Sequence, residues 1–393
     1  MIVSEAKSVV EGMLAPFGVD RFFDLVRASR PAEQAGGPSH PRAALLGSDP
    51  QSTLLSAFAT HAQILDCHAT TPCGPPPGPA DVADASAFRA LIEAYHDRGY
   101  TVRIPEVRAL AAPLLSFTRA LEALLCQRVE ASAFWSRAGA RAKIHYDDND
   151  NISVQLSGRK RWYISTDPAG LQNTWRDVAE PQPHLERHRV IDVGPGDLVY
   201  VPRGTPHSVA STTDSLHVSI LFTPLTLRSA ISAVLDHMSD HVRPYRATAA
   251  AQISGVSGLA AELQPVIVAA LAQLTEQARQ PGFVEAALNK RANREVGKLE
   301  RLVPTGTPLP ELTPDTRIRH ATLAMAHLFD AGPVIDLALP GGHLSIHAGA
   351  ARALAFVTET PSFDVRDTPG LAPDVSIALI ERLIAAGFLE LDR

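Results

Sequence analysis

The chain has 393 residues, 45% of them hydrophobic and 20% charged, and a net charge of −6. That is ordinary globular composition, with material for two or three domains. The acidic balance excludes a broadly basic surface for nucleic acid or an anionic membrane.

Three cysteines, Cys67, Cys73 and Cys126, make an odd count with no Cys-x-x-Cys pair, which fits a reducing cytoplasm rather than a disulfide framework. Cys67-His68 with Cys73 matches no standard zinc spacing. The N-terminus lacks a charged-then-apolar leader and no apolar run reaches about 20 residues, so neither a secretory signal nor a transmembrane helix is expected.

Pro16–Phe23 is a turn that leads into the aromatic pair Phe22-Phe23, which a helix start there would equally bury in the core. Residues 31–80, rich in Pro, Gly, Ser and Ala, form an irregular excursion with a short helix near Thr53–Leu65. Helical periodicity marks Ala85–Arg98 and Pro113–Leu125, with a strand over Tyr100–Ile104 and another over Val129–Ser136.

The chemistry concentrates in Ile144–Ser165, which opens with His145-Tyr146-Asp147. Residues two apart on extended backbone share a face, so an imidazole and a carboxylate project together. The alternating run Ile152, Val154, Leu156, the turn Ser157-Gly158 and the strand Arg161–Ile164 follow. The turn Gly194–Asp197, the apolar run Leu198–Val201 and a second turn then deliver His207. Both ligand groups sit at the mouths of short hairpin strands, as in a small barrel or jelly roll that closes around a site. His145, Asp147 and His207 would form the two-His, one-carboxylate triad of non-haem Fe(II) oxygenases, which leaves one face of the metal open. A polar insertion, Asp167–Arg189, carries His184 and His188, which are read as solvated loop histidines outside the site, while the insertion itself is expected to line the substrate entrance.

HYDDNDNISVQLSGRKRW, followed by GDLVYVPRGTPHSV and SLHVSI, resembles the JmjC/cupin-type 2-oxoglutarate oxygenases, in particular their ribosomal oxygenase branch. The resemblance is specific over about residues 130–222 and implies an α+β fold built on a double-stranded β-helix barrel (1–225) that begins with an aromatic segment around Phe22-Phe23. It implies Fe(II) at His145, Asp147 and His207, with O2 and 2-oxoglutarate as co-substrates. Lys160 would hold the distal carboxylate of 2-oxoglutarate, Ser136 would add a hydroxyl, and His217 would line the pocket. A carboxylate inside a barrel needs a cation, and a lysine suits that end. The other reading of Lys160 is a solvated basic hairpin with Arg159 and Arg161; that of His217 is a hydrogen-bonded core histidine. No catalytic side chain beyond the metal centre is expected.

The run Asp148-Asn149-Asp150-Asn151 is more polar than ribosomal oxygenases usually carry, which points Asn149 and Asn151 at a cationic or hydrogen-bonding substrate such as an Arg- or His-containing peptide. The expected activity is hydroxylation of an amino-acid side chain in a protein or peptide, coupled to decarboxylation of 2-oxoglutarate to succinate. The alternatives are a hydroxylase of a free amino acid or small natural-product intermediate, a cupin enzyme with another metal, and a non-catalytic cupin regulator.

After Pro224 the sequence turns Ala-rich and helical over Leu227–Met238, Gly258–Arg279 and Val284–Leu302. The middle helix has more apolar surface than one face of an isolated helix needs, which is read, with the resemblance, as a homodimerisation segment over 226–304; the other reading is packing against the barrel. In the last segment, 305–393, a helix is expected over Thr316–Leu328, a strand over Ala353–Val357, a helix over Pro373–Ala386 and a strand after Gly387. This resembles the terminal winged-helix domain of ribosomal oxygenases. Asp330–Arg393 holds four basic residues against nine acidic ones, however, and phosphate binding needs several cations. The domain is therefore read as structural or protein-facing.

Overall fold

The computed structural model describes residues 3–57, 66–69 (backbone only), 83–170, 184–249, 256–302 and 311–392. Two compact units meet in the sequence between Pro224 and Leu225.

The first unit begins with helices α1 (Val3–Leu14) and α2 (Val19–Arg27), strand β1 (Ala32–Gln34) and helix α3 (Pro50–Leu55). Strand β2 (Asp66–Ala69), helix α4 (Ala85–Asp97), β3 (Tyr100–Ile104), α5 (Ala112–Leu125) and β4 (Val129–Ser136) follow. Six strands complete it: β5 (Asp150–Ser157), β6 (Lys160–Ser165), β7 (His188–Val193), β8 (Leu198–Val201), β9 (His207–Ser211) and β10 (Ser215–Phe222). The short helix of the excursion starts earlier than expected, at Pro50 behind an Asp49 N-cap, and the expected continuation over 58–65 lies outside the described residues. The polar insertion ends sooner than expected, because His188 already begins β7; its residues 171–183 lie outside the described ones.

A seven-stranded sheet runs β1-β8-β5-β10-β4-β3-β2 and a three-stranded sheet runs β7-β6-β9. The register of the large sheet explains why its strands read as they do. Val218 of β10 stands between Val154 and Ala133, and Ile220 between Ile152 and Ala131, so one face is apolar throughout. Phe22 of α2 packs on this side, 5.2 Å from the Tyr200 ring and 6.3 Å from Phe222. The other face carries Ser132, Ser219 and Ser153 in one row and Phe134, His217 and Gln155 in the next. Trp162, Ile164, Ile191 and Val193 of the small sheet pack against Val199 and Val201 of the large one, which closes the two into a cupin-like β-helix. The β5–β6 turn is tight: Gly158 has φ +65°, and a Cβ there would collide with the backbone of Asp214.

The second unit contains α6 (Leu227–His241), α7 (Val256–Ala278) and α8 (Phe283–Gly297), the last ending five residues before the expected Leu302. None of α7 is buried within the unit, and Val266, Ile267, Val268 and Leu271 are exposed. Against the expectation of no such segment, α7 is by length and composition long and apolar enough to cross a membrane.

Strands β11 (Arg317–His320), β12 (His327–Asp330), β13 (Val334–Leu339) and β14 (Gly342–His347) come next, then α9 (Ala351–Glu359), β15 (Ser362–Asp364), α10 (Pro373–Ala385) and β16 (Leu389–Leu391). Two expectations are corrected here. Thr316–Leu328 is not a helix: Ile318 is buried between Phe363 and Leu391 while Arg317 and Arg319 point to solvent, a period-two pattern satisfied by partners distant in sequence. Ala353–Val357 is not a strand but part of α9, which buries Ala353, Leu354 and Val357 at helical spacing. Gly387 does end α10, at φ +77°.

Candidate metal and co-substrate site

The site begins with backbone. His145 lies in the loop before β5, and its N–H and C=O pair with the C=O and N–H of His207 at 3.0 and 2.8 Å. The Gly204 N–H donates to the Asp147 carbonyl at 2.8 Å, so the turn that delivers His207 also grips Asp147. That turn is tied to β5 by Asp150, whose buried carboxylate accepts from the Arg203 N–H at 3.2 Å and the Tyr200 hydroxyl at 2.5 Å. Burial pushes the Asp150 carboxyl above its usual range.

Side chains follow from that frame. His145 Nδ1 donates to the Lys143 carbonyl at 2.8 Å and His207 Nδ1 to the Thr205 carbonyl at 3.0 Å. Each ring therefore carries a proton on Nδ1 and turns Nε2 towards Asp147. The two Nε2 atoms stand 3.9 and 3.8 Å from the Asp147 oxygens, and the three donor atoms lie within 4.8 Å of one another. Burial lowers the His207 pKa against the raising effect of Asp147, which keeps the ring neutral and able to donate a lone pair. Two imidazoles and one carboxylate are the donor set of a 2-His-1-carboxylate centre.

Lys160 opens β6 and is buried, whereas Arg161 beside it is exposed and pairs with Asp192 at 2.7 Å. Lys160 Nζ lies 3.2 Å from Ser136 Oγ and 2.6 Å from His217 Nδ1, and Ser136 Oγ is 3.0 Å from Thr101 Oγ1. Burial pulls the Lys160 pKa down to about 7. His217, stacked 4.9 Å from Phe134, is pushed well below its usual value by burial and then by Lys160, so it accepts as a neutral ring. No carboxylate pairs with Lys160 among the described residues. A buried ammonium surrounded by hydroxyls and an imidazole is a seat for an anion, as the chemistry of 2-oxoglutarate requires.

The structure thus brings His145, Asp147 and His207 together, and Lys160, Ser136 and His217 together. Asn149 and Asn151, read from the sequence as substrate contacts, already have protein partners. Asn149 Oδ1 accepts from Thr223 at 2.6 Å, and the buried Asn151 donates to Asp147 Oδ2 at 3.4 Å. Sequence reading missed Thr101, which reaches Ser136 only through β3–β4 pairing across 35 residues. It also missed Tyr200, although the polar tip of an otherwise apolar run was the available signal.

Residues 112–229 match the model of the JmjC domain family, and the fold that carries them is cupin-like. Among curated proteins it is similar to ribosomal oxygenases: 28% identical over 137 residues to ribosomal oxygenase 2 of Rattus norvegicus, covering 34% of this chain and 29% of that protein. It is also 26% identical over 149 residues to a bifunctional lysine-specific demethylase and histidyl-hydroxylase of Dictyostelium discoideum, covering 35% and 28%. The matches therefore span less than a third of those relatives' length. Its fold is like that of YcfD, a ribosomal oxygenase from Escherichia coli, at 16% identity and TM-score 0.54 over 95% of this chain and 98% of that one.

Proposed function

We propose that the chain is an Fe(II)- and 2-oxoglutarate-dependent dioxygenase that hydroxylates an amino-acid side chain in a protein or peptide. The observation that carries this is the pairing of a three-donor cluster with a buried lysine that has no carboxylate partner among the described residues, inside one β-helix. His145, Asp147 and His207 would hold the iron, which when bound supplies activation of O2 coupled to decarboxylation of 2-oxoglutarate. Lys160 would bind the distal carboxylate, with Ser136 adding a hydroxyl and His217, as a neutral acceptor, orienting the ammonium. The similarity to a histidyl-hydroxylase and to ribosomal oxygenases supports a protein substrate, and exposed Asp148 at the mouth favours a basic or His-containing target.

In the same reading residues 226–304 form a homodimerisation segment, residues 305–393 a protein-facing winged-helix domain, and the enzyme works in the cytoplasm. The exposed apolar surface of α7 supports the first of these. Glu262, Pro265 and Glu276 along that helix favour a second copy over a bilayer.

The test is an anaerobic load with Fe(II), followed by O2 and 2-oxoglutarate with and without ribosomal-protein peptides. Succinate formation and a peptide mass increase of one oxygen are expected. Absence of succinate from protein that binds Fe(II) would overturn the reading.

A further inference from the structure

The carboxylate of Asp147 is about one-third exposed, at 32%, and an aspartate that open can swing about its side-chain torsions. One buried group restrains it. Asn151 Nδ2 donates to Asp147 Oδ2 at 3.4 Å, and Asn151 Oδ1 accepts from Ser153 Oγ at 3.1 Å. Ser153 Oγ is in turn 2.9 Å from Ser219 Oγ on the neighbouring strand. Asn151, Ser153 and Ser219 are all buried.

The chain of bonds has a direction. A carboxylate only accepts, so the Asn151 amide must turn its NH2 towards Asp147 and its oxygen towards Ser153. Ser153 must then donate to Asn151, which leaves its lone pairs to accept the Ser219 proton. Reversing any member sets two acceptors face to face in a dry interior. Asn151 and Ser153 share the barrel-facing side of β5 and Ser219 sits opposite Ser153 in register, so the relay is fixed by sheet pairing.

We propose that Asn151 is a positioning residue for Asp147, with Ser153 and Ser219 fixing the orientation of its amide. This rests on His145, Asp147 and His207 being the metal site. Holding Oδ2 leaves Oδ1, 3.9 Å from His145 Nε2, as the freer donor and favours coordination through one oxygen. Within the polar run after Asp147, Asn151 thereby serves the metal ligand.

The test is calorimetric titration of the metal-free chain with Co(II), together with its visible absorption spectrum. Asn151→Leu keeps the shape and removes the donor; it is expected to weaken Co(II) binding about tenfold, the low end for an outer partner of a ligand because 3.4 Å is a long hydrogen bond. The Co(II) bands should shift as the carboxylate loosens. Ser153→Ala frees the amide to rotate and should weaken binding about threefold in the same direction, which carries the test if Asn151→Leu does not fold. Binding within twofold of wild type and an unshifted spectrum in both variants would overturn the proposal. A loss in Asn151→Leu alone would retain the Asn151 step and overturn the serine relay. Asp147→Ala separates the two levels: wild-type Co(II) binding in that variant would mean that the metal site itself is misplaced.

Discussion

Lys160 Nζ lies 2.6 Å from His217 Nδ1, a buried ammonium donating to a buried neutral imidazole. With burial holding the lysine near pH 7 in the folded protein and at 10.5 ordinarily, the unfolded chain binds more protons between those values. The lysine's contribution to stability is therefore full above the unfolded value and is lost as pH falls through 10 towards 7. An anion in the pocket has the opposite preference and restores the charge.

Binding of 2-oxoglutarate should accordingly take up a proton above pH 7. Its affinity should fall by up to about tenfold per pH unit between about 7 and the pKa of the complex. Calorimetry at pH 8 in two buffers of different ionisation enthalpy reads the uptake directly, and a value near zero would contradict the assignment.

Lys160→Ala leaves the distal carboxylate without its partner in a dry pocket. Losing one member of such a pair costs on the order of 2–5 kcal/mol. The 2-oxoglutarate requirement should rise by roughly 30-fold or more at about 1.4 kcal/mol per tenfold. Metal binding should be unaffected, and Lys160→Arg should be milder. Arg161→Ala is the control: its guanidinium is exposed on Asp192 and should leave the co-substrate requirement unchanged. Equal losses in the two alanine variants would return Lys160 to a general structural role.

What the sequence made legible divides along one physical line. His145-x-Asp147, the turn before His207 and the alternation of Ile152, Val154 and Leu156 are local patterns, and local spacing determines which side chains share a face. The partners of those residues come from strands far away in the chain. Thr101 meets Ser136, and Ser153 meets Ser219, only through cross-strand register. The same limit explains Thr316–Leu328, where the helix-forming stretch around Ala321–Ala326 outweighed a strand specified by Phe363 and Leu391. At Asn149 and Asn151 residue type suggested polarity at the mouth, but not that Thr223 and Asp147 already use it.

The exposed α7 face should make the protein a dimer. Val266, Ile267, Val268 and Leu271 are all more than half exposed, and replacing Ile267 and Leu271 by Glu should give a monomer. Light scattering at micromolar protein checks both forms. A monomeric wild type would remove the dimer from the proposal without touching the active site.

Beneath the barrel, α5 holds a buried charge cluster that sets a stability prediction. Glu122 is 0% exposed and receives Arg108 Nη1 at 2.7 Å and the Val129 N–H at 3.2 Å. Arg119 Nη1 stands 2.8 Å from its other oxygen, an ion pair whose angle is too poor for a hydrogen bond. Burial raises the Glu122 pKa, while Arg119 and Arg108 pull it back. Glu122→Ala would remove the carboxylate that two buried guanidinium groups share, and breaking a buried pair from one side costs about 3–5 kcal/mol. In a unit of this size each kcal/mol moves the midpoint by about 2–4 °C, so thermal unfolding should fall by roughly 6–20 °C. Glu122→Gln keeps the shape and one acceptor and should lose less. Because the metal donors and Lys160 belong to other elements, Co(II) affinity measured well below the new midpoint should match wild type. A melting temperature unchanged in Glu122→Ala would show that water reaches both arginines and that the cluster contributes little to the fold.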